Sequence, residues 1–145
     1  MAMLSTRRPF ESRHILLVGA PDLIRPLLAG DLEQAGYEVT QVETSNAAIV
    51  VLEERTPIVT LVDMSSAALR PRELFAAAAA LCPAPRVIAL VPFGHERARR
   101  NALAYGAFCC LRLPVTRERL LEAVSTAESV ALRQAATAVT PPSGG

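Results

Sequence analysis

Ile58-Val59-Thr60-Leu61-Val62-Asp63 is a run of five strand-forming residues that ends on a carboxylate, with Pro57 directly before it. β-Branched side chains fit a pleated, packed surface, and the run lacks the alternation of a strand with one wet face, so it reads as a strand covered on both sides. Doubly covered strands belong to parallel sheets, and an open parallel sheet carries its chemistry beyond the C-terminal ends of its strands. Asp63 stands at such an end.

Outward from this run, residues 14–18, 37–42, 86–91 and 108–111 form four similar apolar segments, each separated from the next by a stretch of helical period. Leu23, Ile24, Leu27, Leu28 and Leu32 make one stripe after Asp22, which is placed to cap the helix; Pro26 limits its first turns and Gly36 ends it. Thr44 or Ser45 caps a second helix whose inward face is Ala47, Ala48, Val51 and Leu52, stopped by Pro57. A third starts at Pro71, continues through Leu74, Phe75 and an alanine run to Leu81, and closes at Pro83. The fourth spans residues 95–105 before Gly106, and the fifth runs from Thr116 through Leu120, Leu121, Val124 and Ala127. Five βα units with right-handed crossovers wind into an α/β sandwich with helices on both faces of one open sheet.

The chain has 145 residues, 51% of them hydrophobic, which suits one packed domain and is short for two. Residues 13–134 are expected to form it, with a disordered extension over 1–12 and a disordered tail or linker over 135–145 that ends Pro141-Pro142-Ser143-Gly144-Gly145. The net charge of +1 supplies no global pull toward nucleic acid or an anionic membrane, so binding must rest on local patches. All fifteen basic residues are arginine, which excludes every mechanism that needs a lysine. Cys82, Cys109 and Cys110 have no metal or redox spacing and read as small core residues of a reducing compartment. Thr6-Arg7-Arg8-Pro9-Phe10 has the form of a twin-arginine export signal, yet the apolar stretch after it ends at Pro21-Asp22 and reads as the first strand. No run reaches membrane-spanning length, and the expectation is a cytoplasmic protein.

Several segments together resemble the receiver (CheY-like) domain of bacterial response regulators over residues 13–130. They are Ile15-Leu16-Leu17-Val18, Arg25, Ala35-Gly36-Tyr37-Glu38-Val39, Val62-Asp63-Met64, Tyr105-Gly106-Ala107 and Leu113-Pro114-Val115-Thr116. The resemblance implies a doubly wound, flavodoxin-like (βα)5 fold with a parallel five-stranded sheet in the order 2-1-3-4-5. It makes Asp63 the equivalent of the phosphoacceptor. Where the family has two acidic residues that join this aspartate in holding magnesium, this chain has Gly19 and Ala20. Val91 replaces the hydroxyl residue that ends the fourth strand, Leu113 the lysine after the fifth, and Cys110 the aromatic residue that couples to the hydroxyl. Leu113-Pro114 keeps the proline whose preceding peptide is typically cis in the family.

Magnesium takes oxygen ligands in octahedral geometry, and phosphoryl transfer rests on positioning and charge neutralisation. One carboxylate among Gly19, Ala20, Val91, Cys110, Leu113 and Pro114 is therefore expected to bind magnesium weakly or not at all, with no other cofactor or metal. This leads to a degenerate, phosphorylation-independent receiver that acts in signalling as a protein-protein interaction module and not as an enzyme. The family's usual interaction face, formed by helix 4, strand 5 and helix 5, carries Arg97, Arg99, Arg100, Tyr105, Arg112, Arg117 and Arg119. It is expected to take an acidic protein partner or a second copy, against the plainer reading of a solvated face that also holds Glu96, Glu118 and Glu122.

Other readings are a working phosphoacceptor at Asp63 in a two-component phosphorelay and a small-anion site at Gly19-Ala20-Pro21-Asp22 before a helix N-terminus. A phosphatase reading of Asp63-Met64-Ser65-Ser66 fails because Ser65 stands where the second aspartate is needed. No helix-turn-helix follows the fifth helix, so direct contact with nucleic acid is not expected.

Overall fold

The computed structural model describes residues 10–22, 24–67 and 69–139. Along them alternate β1 (Glu11–Val18), α1 (Ile24–Gln34), β2 (Glu38–Val42), α2 (Ser45–Arg55), β3 (Pro57–Asp63), α3 (Pro71–Ala79), β4 (Arg86–Pro92), α4 (Glu96–Ala104), β5 (Cys109–Leu113) and α5 (Arg117–Val139). All strand pairs are parallel and the sheet order is β2-β1-β3-β4-β5, the flavodoxin-like α/β fold expected from the sequence.

Alternation along the strands divides the core into two layers. Ile15, Leu17, Val59, Leu61, Ile88 and Leu90 meet Leu28 and Leu32 of α1 and Leu120, Val124 and Ala127 of α5. Leu16, Val18, Val62, Val87, Ala89 and Val91 meet Ala48 and Leu52 of α2, Leu74 and Phe75 of α3 and Ala102 of α4. Helices cover both faces of the sheet, and its central strand β3 is buried at every position but its last, which is Asp63.

Several expectations need correction. β1 starts at Glu11, before the apolar run: Arg13 adopts φ 59°, the register shifts between Glu11 and Ile15, and Glu11 still pairs with Pro57. Arg13 earns this conformation through contacts, donating from Nε to Gly36 O at 3.1 Å and from Nη2 to Ala35 O at 2.8 Å while lying 4.3 Å over the Tyr37 ring. α5 continues to Val139, past the expected boundary at residue 134. Residues 1–9 and 140–145, on which most of the expected disorder falls, lie outside the described residues.

The stripe of α1 is narrower than the leucine pattern suggests. Leu28, Ala29 and Leu32 pack, whereas Ile24 and Leu27 are 42% and 68% exposed; Leu23 lies outside the described residues. Thr44 caps α2 by accepting from Ala47 N at 3.1 Å, and Ser45 is free to turn inward, where its Oγ accepts from Arg70 N at 2.7 Å and fastens α2 to the entrance of α3. On α2 the buried set is Ser45, Ala48 and Leu52, with Ala47 and Val51 only half-buried. Of the three cysteines Cys82 is exposed, while Cys109 and Cys110 are half-buried and pack against the two core layers.

Candidate functional site

Asp63 ends β3 between Gly19, which follows β1, and Leu90 of β4, its partner in the ladder. Its carboxylate is committed locally. Oδ1 accepts from the backbone N of Ser65 at 2.9 Å and from the Ser65 hydroxyl at 2.6 Å, an Asx-type turn that folds the β3–α3 loop back on the strand end.

Gly19 makes this arrangement possible. A Cβ on residue 19 would stand 2.9 Å from Asp63 Cβ, closer than side chains tolerate. Arg25 of α1 donates from Nη1 to Gly19 O at 2.8 Å and to Val42 O at 3.3 Å, satisfying two carbonyls at the C-terminal edge of the sheet. Leu28, Leu90 and Leu113 complete the walls, and the cavity they leave beside Asp63, Gly19 and Asp22 is about 10 Å³. A single water needs roughly 10–15 Å³ on such a measure, so this space holds at most one.

The donor set does not fit magnesium. Gly19 and Ala20 bring no side-chain oxygen, and Asp22 spends Oδ1 on capping α1, accepting from Ile24 N at 3.1 Å and Arg25 N at 3.2 Å. Among the described residues no three His, Cys, Asp or Glu side chains gather as metal ligands do. Leu113, 7% exposed, lines the space at Asp63 with an alkyl group, and Val91, 5% exposed, brings neither charge nor hydroxyl.

The residues compared with the receiver pocket do not stay together. Gly19 and Leu113 line the space at Asp63, whereas Val91, Cys110 and Pro114 line a separate groove of about 420 Å³ between α4, β5 and the start of α5. Ala20 is half-buried and lines neither. The Leu113–Pro114 peptide is cis, as the resemblance implies; Cys82–Pro83 is cis as well.

That groove is the larger feature. Arg99 projects into it from α4, Arg112 from β5 and Arg119 from α5, with His95, Glu96 and Thr116 around its ends. Thr116 Oγ1 accepts from Arg119 N at 3.2 Å and starts α5. Cys110 donates its thiol to Arg99 O at 4.0 Å. Burial pushes the Cys110 thiol up from its ordinary value against the pull of Arg99; the Cys109 thiol is pushed up by burial and by Cys110, against Arg119. Of the expected contact residues, Arg112 and Arg119 line the groove while Arg97, Arg100 and Arg117 are exposed beside it. Tyr105 turns away: its ring packs on Phe75 of α3, centroids 5.8 Å apart.

Phe93 was not legible as a site residue. It follows β4, is 72% exposed, and has the Arg112 guanidinium 5.3 Å from its ring centroid. The available signal was an aromatic residue placed between a completed buried strand and Gly94.

Residues 7–125 match the VpsR domain family. The chain belongs to that family. No curated protein sequence matches it. Among solved structures, NtrX from Brucella abortus superposes with a TM-score of 0.75 at 21% identity, covering 88% of this chain and 29% of that one. This VpsR domain thus spans less than a third of the NtrX chain it resembles. The receiver domain of a putative Luxo repressor protein from Vibrio parahaemolyticus gives a TM-score of 0.73 at 21% identity, covering 83% of this chain and 93% of that one. A CheY-like receiver domain protein from Methanospirillum hungatei JF-1 gives 0.74 at 23% identity, covering 83% and 97%. The fold of the VpsR domain is therefore that of a response-regulator receiver domain. No helix among its described residues is long and apolar enough to cross a membrane.

Proposed function

We propose that this VpsR domain works in signal transduction as a phosphorylation-independent receiver, and that it acts by docking a protein through the groove between α4, β5 and α5. The observation that carries the reading is the set of side chains around Asp63. Its carboxylate is already bound twice by Ser65 and lies against Gly19, and Gly19, Ala20, Val91 and Leu113 supply neither a cation nor a metal ligand to neutralise a tetrahedral phosphoryl group. The module is not an enzyme, works in the cytoplasm, binds magnesium weakly or not at all, and contacts no membrane or nucleic acid directly.

The docking half rests on chemistry of another kind. Arg99, Arg112 and Arg119 converge on one groove, and exposed Phe93 stands beside it. Arginine and aromatic side chains supply a large share of binding energy at protein interfaces. The partner that complements them is acidic.

One observation supports a second reading, in which Asp63 is phosphorylated within a phosphorelay: the residue is only half-buried and both its hydrogen bonds fall on Oδ1. Incubation with magnesium and an acyl phosphate, or with beryllium fluoride, separates the two. The docking reading expects an unchanged intact mass and unchanged amide NMR spectra. A stoichiometric adduct at Asp63 would establish the phosphoacceptor instead.

A further inference from the structure

β2 and β5 are the outer strands of the sheet, and the chain divides its charge between them. Residues 93–120, which include α4 and β5, carry Arg97, Arg99, Arg100, Arg112, Arg117 and Arg119 against Glu96 and Glu118, an excess of four positive charges, and all six arginines are exposed. Residues 38–55, which make β2 and α2, carry Glu38, Glu43, Glu53 and Glu54 against Arg55, an excess of three negative charges, and all four glutamates are exposed. The net charge of +1 conceals a dipole laid across the sheet.

Each edge also offers an apolar centre. Phe93 is 72% exposed at the basic edge, and Val50 is 49% exposed on α2, three and four residues before Glu53 and Glu54 and so on the same helix face. An apolar side chain beside charged ones is the anatomy of a protein-protein contact; Arg112 lies over Phe93, Glu53 and Glu54 follow Val50 by one helical turn, and the two charges have opposite signs.

We propose that the acidic β2–α2 edge of one molecule seats in the arginine groove of a second copy, head to tail. This rests on the docking reading above and names its occupant. Two basic edges brought together would oppose like charges, and so would two acidic ones; only the unlike pairing is attractive. The contact joins different surfaces, so a pair keeps one unused edge of each kind, one on each molecule, and the assembly grows as an open chain. Since the attraction is between exposed charges, it weakens as salt rises.

Sedimentation velocity on the whole chain tests this, across concentration and at low and high salt. The average mass is expected to climb with concentration at low salt and to fall to that of one chain at high salt. R112E/R119E alone and E53R/E54R alone should each weaken self-association by about tenfold or more. Their equimolar mixture should recover association that neither variant shows alone, because each variant retains the edge the other lacks. E43R, in the loop before α2, gives the same readout if the helix substitutions disturb folding. Wild-type-like assembly of both acidic-edge variants overturns the proposal, as does a wild type that stays single at low salt. In the latter case an immobilised poly-glutamate peptide decides the underlying reading. Retention of the wild type but not of R112E/R119E keeps the docking groove and removes only the second copy; no retention removes both.

Discussion

The Asp63 side chain fills the space that a side chain on residue 19 would need, since a Cβ there would lie 2.9 Å from Asp63 Cβ. The missing acid at the end of β1 and the position of the remaining one are therefore coupled. Restoring an acid alone does not restore a site, because the new carboxylate must first displace Asp63. Gly19→Asp is expected to destabilise the fold by about 1–3 kcal/mol, the usual range for overpacking, and to leave magnesium affinity negligible. Urea unfolding and calorimetric titration with magnesium check both halves; a stable variant that binds the ion tightly would refute the coupling.

Thr60 is fully buried in β3 and its hydroxyl has no hydrogen-bond partner among the described residues. A buried hydroxyl without a partner costs about 1–3 kcal/mol. Thr60→Val keeps the branched shape and removes that group, so the variant is expected to raise the unfolding midpoint, with a gain of about 1 kcal/mol. A loss of stability would show that the hydroxyl is bonded.

Ser45 joins two helices through one bond, its Oγ accepting from Arg70 N at 2.7 Å in a buried setting. Ser45→Ala strands that backbone N–H as α3 begins. The expected cost is about 1–2 kcal/mol, measured by denaturant unfolding, with hydrogen exchange rising first at Arg70.

Tyr37 donates its hydroxyl to Glu128 Oε1 at 2.8 Å, and its pKa is pushed up from 10.0 to about 12, first by burial and then by the Glu128 hydrogen bond and charge, against the pull of Arg13. A folded-state value above the unfolded one means that the protonated phenol stabilises the fold. That contribution is complete below pH 10 and is lost as pH rises through about 12. In a Tyr105→Phe background, phenolate absorbance should appear near pH 12 in folded protein, and Glu128→Gln should move it down. An unmoved transition in the Glu128 variant would contradict the assignment.

The sheet was legible because doubly covered strands write their burial directly as apolar runs, and residues 58–62 do so with Thr60 as the one polar residue. β1 was read short for the opposite reason. Glu11, Ser12 and Arg13 are polar, and what extends the strand is the reach of Arg13 to Ala35 O and Gly36 O, a tertiary contact that no local pattern records. The exposed Ile24 and Leu27 mark the same limit, since leucine spacing names a helix face but not how much of it the neighbours cover. At the candidate site the absent groups could be read from Gly19, Ala20, Val91 and Leu113. The separation of Cys110 and Pro114 from Asp63 could not, because β4 stands between β3 and β5 and successive side chains of β5 alternate between the two faces of the sheet.

Phe93 and Arg112 give the cleanest separation of docking from folding. Both are exposed, and their contact is a cation–π pair with 5.3 Å between guanidinium and ring centroid. At an exposed site such a pair contributes about 0.5–1 kcal/mol, so Phe93→Ala should shift the unfolding midpoint little. At an interface the same ring is a large, rigid apolar anchor, and removing an anchor costs about 2 kcal/mol or more in binding. Phe93→Ala is therefore expected to lose most of its affinity for an acidic partner surface, by about thirtyfold, while circular dichroism and thermal unfolding stay near wild type. A variant that binds as well as the wild type would confine the contact to the arginines. One that unfolds early would mean that the ring is part of the core after all.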